Sequence, residues 1–200
     1  ISLGEDGGSH QALEDVALMR SIPGMIVLSP ADAVETEKMI FAVTNYEGPV
    51  YVRLGRLGVP ILFDENYKFE IGKAVTLTDG NDVAILATGL MVAEALEASK
   101  LLEEKGIKVR VINVSTIKPL DNETVLKAAK ECKFILTSEE HSIIGGLGSA
   151  VSEYLSEIYP TKIIRHGIED KFGQSADADT LFDKYGLRAK KIVEIILKNI

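Results

Sequence analysis

MIVLSPADAVETEKMIFAVTNYEGPVYVRL, Met25 to Leu54, decides how this chain folds. Met25 to Leu28 is an apolar run of strand length, broken by Ser29-Pro30. From Asp32 to Asn45, apolar Val34, Met39, Ile40, Ala42 and Val43 interleave with Glu35, Glu37 and Lys38, the pattern of an amphipathic helix. After Gly48-Pro49, Val50 to Leu54 is β-branched and aromatic, as strands are. Strand, helix, strand in that order predicts a parallel unit with the helix as crossover, because a tight turn cannot join parallel neighbours. Two short strands bury too little apolar surface to stand alone, so this part is expected to lean on something else.

Upstream lies GEDGGSHQ, Gly4 to Gln11, which sets a carboxylate, Asp6, and an imidazole, His10, four residues apart in a glycine-rich loop. Gly7 and Gly8 remove the side chains that keep backbone and ligand apart. Ser9 is the expected N-cap of a helix from His10 to Ile22, with Leu13, Val16, Ala17 and Met19 on its apolar side and Pro23-Gly24 as its stop. On its own such a loop is more often a plain turn. Loops do, however, carry function out of proportion to their number.

Downstream, Pro60 to about Glu70 loses periodicity and is read as an interdomain linker. Lys73 to Leu77 and Asp82 to Thr88 are strand-like and flank Asp79-Gly80, which predicts a tight hairpin and an antiparallel edge on an otherwise parallel sheet. An amphipathic helix, Met91 to Lys105, stops at Gly106. Then come a strand (Lys108 to Val114), a loop (Thr116 to Asp121, with Asp121 a candidate cap), a helix (Glu123 to Glu131) and a strand (Phe134 to Ser138). A helix from Gly145-Gly146-Leu147-Gly148 through Tyr159, a strand at Ile163-Ile164 and helices at Asp177 to Tyr185 and Arg188 to Lys198 complete the pattern. The organisation expected is 1–62, a linker at 63–71, and a second α/β domain over 72–200.

Composition narrows the function classes. Among 200 residues, 46% are hydrophobic and 26% charged, which describes a folded chain rather than a disordered one, and a formal net charge of -8 argues against a general affinity for nucleic acid or anionic membrane. The single cysteine, Cys132, gives no disulfide framework, lacks an activating motif and points to a reducing, cytoplasmic setting. No run approaches the ~20 apolar residues of a membrane span. The chain opens at Ile1 within a functional-looking loop, so it is expected to be a piece of something longer. His141 beside Glu139 and Glu140 makes a poor ligand set at a strand end, and Gly145 to Gly148 lacks dinucleotide-fingerprint spacing, so metal and phosphate readings yield to packing. Thr88-Gly89 leads into a helix and invites an effector site; His166 is expected to be structural or exposed.

Read together, Gly4 to Gln11, Pro23, Ser29-Pro30-Ala31-Asp32-Ala33, Gly48-Pro49 through Arg53-Leu54-Gly55-Arg56, and Pro60 resemble the carboxy-terminal section of transketolase. Glu139-Glu140-His141, Gly145-Gly146-Leu147-Gly148, Phe172-Gly173-Gln174-Ser175 and Tyr185-Gly186-Leu187 match the C-terminal domain of the wider thiamine-diphosphate group. The resemblance implies a partial pyrimidine-binding domain followed by a transketolase C-terminal domain. It implies thiamine-diphosphate-dependent transfer of a two-carbon ketol unit between sugar phosphates. It also assigns roles: Asp6 binds a hydroxyl beside the reacting carbonyl, His10 faces the cofactor's reactive carbon and moves protons, and Arg56 meets the substrate phosphate. Carboxylate, imidazole and guanidinium suit those tasks chemically. Arg53 is expected as a strand-end surface residue rather than a ligand.

Two departures limit the resemblance. The family's Mg²⁺ and diphosphate site uses Gly-Asp-Gly followed about thirty residues on by Asn, and no such pair occurs here; the glutamate and aromatics that hold the aminopyrimidine ring lie upstream of Ile1 in the family. The expectation is an incomplete enzyme, active with missing N-terminal domains or a diphosphate-binding partner subunit, as a homo- or hetero-oligomer. The rivals are 1-deoxyxylulose-5-phosphate synthase, a 2-oxoacid dehydrogenase E1 β component, and a non-catalytic regulatory or assembly module of the same fold.

Overall fold

Strand β1 (Ile26–Leu28) is buried along its whole length, and it pairs in parallel with β2 (Val50–Val52), Ile26 opposite Val50, across helix α2 (Ala33–Thr44). The computed structural model describes residues 1–200. Asp32 caps α2 by accepting from Glu35 N at 2.7 Å. The stretch that promised a parallel unit thus forms one, in a mixed α/β chain.

The rest builds a five-stranded sheet. Its strands are β3 (Val75–Thr78), β4 (Val83–Ala87), β5 (Val109–Asn113), β7 (Ile135–Ser142) and β8 (Ile163–Ile168), in the order β3-β5-β4-β7-β8. Alternation along β4 sends Val83, Ile85 and Ala87 to one face and Ala84 and Leu86 to the other. On the first face lie α3 (Met91–Glu103) and α7 (Ala189–Leu197); on the second, α4 (Asn122–Glu131) and α5 (Leu147–Ile158). The remaining helices are α1 (Asp15–Ser21) and α6 (Ala178–Tyr185), and none in the molecule is long and apolar enough to cross a membrane.

Several expectations need correcting. The Asp79-Gly80 hairpin does not form: β3 pairs antiparallel with β5, and β5 pairs in parallel with β4, so β5 sits between the two strands expected to be neighbours. Every residue of β5 is buried, whereas β3 is partly exposed. A hairpin would have left the more buried strand at the edge with one side of its backbone unpaired. The antiparallel edge itself is present. Thr116–Lys118, read as loop, is a strand, β6, that pairs antiparallel with β1 and makes the small sheet three-stranded, β2-β1-β6. Its Lys118 Nζ donates to the carbonyls of Arg20 (2.8 Å) and Ile22 (2.7 Å) at the end of α1. Helix α1 begins at Asp15, five residues later than expected, and Ser9 does not cap it. Leu13 instead turns into the large core and its carbonyl accepts from Ser142 N.

The segment without periodicity is packed rather than free. Asp32 Oδ2 accepts from the backbone N–H groups of Leu62 (2.6 Å) and Phe63 (2.9 Å), and the Phe63 and Tyr67 rings stack at 4.0 Å. Buried Glu35 accepts from Ala31 N, Tyr67 Oη and Asn113 Nδ2. Open α/β sheets commonly bind ligands at the carboxyl ends of their strands, where strand order reverses. Here the end of β4 is occupied from within: Gly89 N and Thr88 Oγ1 donate to the Ser29 carbonyl at 3.3 and 3.4 Å. Thr88-Gly89 thus forms part of the junction between the sheets.

Candidate active site

Gly4–Asp6 forms a single 3-10 turn closed by Gly7 N donating to the Gly4 carbonyl. Gly7 has φ 77°, and a Cβ there would stand 2.1 Å from Ser175 Oγ. The glycine answers both conditions: left-handed backbone and close approach of a neighbouring segment. That neighbour is Gly173-Gln174-Ser175, part of a motif singled out in the sequence without a role.

The turn places Asp6 on the surface, where its Oδ2 accepts from Arg56 Nη1 at 2.5 Å. Residues 50 apart in the chain therefore meet. Their side chains are 43% and 60% exposed, leaving both open to solvent and to a ligand. His10 follows on the same loop, exposed, its Nδ1 3.0 Å from Ser9 Oγ. Asp6 and Arg56 are brought into direct contact, while the ring of His10 bonds its own neighbour.

Beneath this surface runs a polar seam that sequence reasoning missed. Arg53 is not the surface residue expected: its Nε donates to Asp15 Oδ2 at 2.9 Å, its Nη2 to the Ala12 carbonyl, and its Nη1 lies 3.6 Å from Glu140 Oε2. Tyr51 Oη donates to the same Asp15 oxygen at 2.7 Å. Burial, then the Asp15 hydrogen bond, pushes the Tyr51 hydroxyl up to about 12, so it stays a donor. Glu140 Oε1 accepts from Ser2 N at 2.5 Å. The only available signal was the spacing of Tyr51 and Arg53, which put them on one face of a strand.

His141 and Glu139 also serve the junction. His141 Nε2 accepts from Ala17 N (3.3 Å) and its Nδ1 sits 2.6 Å from the Ser142 carbonyl; burial holds its pKa below the usual imidazole value. Glu139 accepts from Leu147 N and Gly148 N at the start of α5, at 2.7 and 2.8 Å. The Gly145–Gly148 stretch therefore meets a carboxylate of the chain itself. Burial pushes the Glu139 carboxyl up to about 7, against the pull of those two donors. His166, which the sequence left as structural or exposed, is buried, with Nδ1 2.9 Å from Ser138 Oγ and Nε2 2.7 Å from the Gly186 carbonyl.

The exposed carboxylate and guanidinium of Asp6 and Arg56 suit a polyhydroxylated anion, and exposed His10 lies four residues from Asp6 on the same loop. For a metal-bound diphosphate, no cluster of three or more His, Cys, Asp or Glu side chains is assembled. The lone Asp79-Gly80-Asn81 stretch is engaged elsewhere, with Asp79 paired to Arg110 at 3.1 Å.

Residues 72–192 match the transketolase C-terminal domain, and residues 1–60 the transketolase pyrimidine-binding domain. A 6-deoxy-6-sulfo-D-fructose transketolase subunit of a Clostridium species is 46% identical over 94% of this chain and 58% of its own length. An apulose-4-phosphate transketolase subunit of Phocaeicola vulgatus is 42% identical over 99% of this chain and 64% of its own length. 1-Deoxy-D-xylulose-5-phosphate synthase of Heliobacterium modesticaldum is 39% identical over 96% of this chain but 30% of its own length. Among solved structures, a split gene transketolase described as an inactive beta4 tetramer superposes with TM-score 0.90 at 46% identity, covering 96% of this chain and 62% of that one. The chain thus spans less than two thirds of the length of these relatives.

Proposed function

The chain belongs to the transketolase family, and from that premise we propose that it is the carboxy-terminal component of a transketolase, one wall of a thiamine-diphosphate site completed by an amino-terminal domain or subunit. The proposed division is a pyrimidine-binding part to residue 62, a connection over 63–71, and a C-terminal domain from 72. The observation that carries the reading is the meeting of Asp6 and Arg56 on the loop that also bears His10.

Thiamine diphosphate, bound with Mg²⁺, supplies the electron sink for breaking and forming the C–C bond. The residues of this chain bind and orient the sugar. Asp6 accepts hydroxyl hydrogens beside the reacting carbonyl, Arg56 offers paired donors to the phosphate, and His10 moves protons at the substrate oxygens. In the free chain Asp6 and Arg56 neutralise each other, so a sugar phosphate enters by parting them. An exposed pair of this kind is worth only about 0.2–1 kcal/mol, a small barrier to displacement.

On this reading the donors for the diphosphate end come from an amino-terminal domain or from a partner subunit. The description of the split gene relative as an inactive beta4 tetramer supports the same view. A second reading, 1-deoxyxylulose-5-phosphate synthase, draws on the match over nearly the whole chain to such an enzyme; donor selectivity of the complete complex, a ketose phosphate against a 2-oxo acid that loses carbon dioxide, separates the two. The test of the site is Arg56→Ala in that complex, measured with phosphorylated and unphosphorylated ketoses. A rise in KM confined to the phosphorylated donor supports the assignment, and equal effects on both contradict it.

A further inference from the structure

Gln11 ends the site loop and is buried, and its side chain bonds neither Asp6 nor Arg56. Its Nε2 donates to the Gly4 carbonyl at 3.2 Å, where the loop begins, and to the Gln174 carbonyl at 3.0 Å. One amide thus ties both ends of the loop to a segment more than 160 residues away in sequence. Those two acceptors fix the orientation of the amide, since turning it over would set oxygen against two carbonyls. Its Oε1 is buried without a hydrogen-bond partner, against Gly173, where a Cβ would stand 1.8 Å from it. Gly173 is needed there to make room for Gln11. The segment is itself held from behind, by Tyr185 Oη donating to the Phe172 carbonyl at 2.6 Å and by Lys184 to Gln174 Oε1.

We propose that Gln11, seated on Gly173-Gln174-Ser175, is a positioning residue through which the carboxy-terminal half of the chain sets the Asp6–His10 loop. This rests on reading that loop as the substrate site. It gives a catalytic consequence to a region that holds none of the reacting side chains. The loop keeps few hydrogen bonds of its own, Gly7 N to Gly4 O and His10 N to Gly7 O, and Gln11 shares the Gly4 acceptor with the first of them.

The test uses the isolated chain and its complex with a diphosphate-binding partner. Amide hydrogen exchange at Gly7 and His10 and the NMR shift of the His10 ring are followed in Gln11→Met, Gly173→Ala, Gln11→Ala and the Gln11→Ala/Gly173→Ala pair. Expected are an exchange at least tenfold faster at both amides and a displaced His10 signal in each single variant, with exchange in Val83–Ala87 unchanged. Gly173→Ala is expected to add less than twofold to Gln11→Ala, because the collision it causes is with the Gln11 side chain. Unchanged loop exchange, or a Gly173→Ala effect of equal size in both backgrounds, overturns the proposal. His10→Ala in the complex separates the two failures. A complex that keeps full transfer from xylulose 5-phosphate without His10 sinks the site reading and this inference with it. A complex that needs His10 but is indifferent in kcat to Gly173→Ala sinks the positioning claim alone.

Discussion

The two sheets hold themselves together by different means. The five-stranded sheet is sandwiched by helices and is the centre of apolar clusters of 24 and 12 buried residues, one on each face. The three-stranded sheet has clusters of 4 and 3, and one of its strands, β6, comes from the far part of the chain. What the small sheet lacks in apolar burial it makes up in polar contacts across the junction: Arg53 with Asp15 and Glu140, Glu35 with Asn113, Ser29 with Gly89. Directional contacts fix geometry where apolar burial alone would not, and Arg53, three residues before Arg56 of the candidate site, is held this way.

That contrast predicts a hierarchy. The largest effect belongs to the big core: Leu136→Ala, at a fully buried position, is expected to cost about 3–5 kcal/mol, read as a lower denaturant midpoint for the whole molecule. Glu139 comes next and has a pH signature. Its folded carboxyl at about 7 lies above the unfolded value of ~4.3, so between these values the folded state holds the extra proton. Its contribution is therefore fully present below about pH 4 and is lost as pH rises to about 7, by roughly 3–4 kcal/mol. Glu139→Gln should flatten that slope in pH-dependent unfolding.

Smaller, and confined to the small sheet, is Arg53→Ala. It leaves Asp15 without its cation at a cost of about 2 kcal/mol, below the range for a fully buried pair because the guanidinium is partly exposed. Hydrogen exchange should quicken in β1 and β2 and stay unchanged in β4; a uniform change would mean the two regions unfold as one. Smallest is Asp6→Asn, expected to alter stability by less than about 1 kcal/mol because both partners are exposed. A larger loss in thermal unfolding would make the Asp6–Arg56 pair structural.

The elements that could be read from sequence are those whose pattern is local. The unit from Met25 to Leu54, the apolar face of α3 and the cap at Asp121 follow from period and residue type within a dozen positions. Pairing partners could not be read this way. Asp79-Gly80 signals a turn but not that β5 will slide in beside β3, and Thr116-Ile117-Lys118 is too short to announce that it completes a sheet begun ninety residues earlier. For the site, the residue types of Asp6, His10 and Arg56 were visible. Arg53 was misjudged because its partners Asp15 and Glu140 are distant in sequence, and the seat formed by Gly173 to Ser175 was visible only as an unexplained motif.

Reconstitution tests the central claim most directly: transfer from xylulose 5-phosphate, with thiamine diphosphate and Mg²⁺, by this chain alone and mixed with a diphosphate-binding partner. The chain alone should be inert, and the mixture should transfer a two-carbon unit and lose that turnover in the His10→Ala variant. Transfer by the chain alone, or a fully assembled complex inert toward every ketose phosphate, would contradict it.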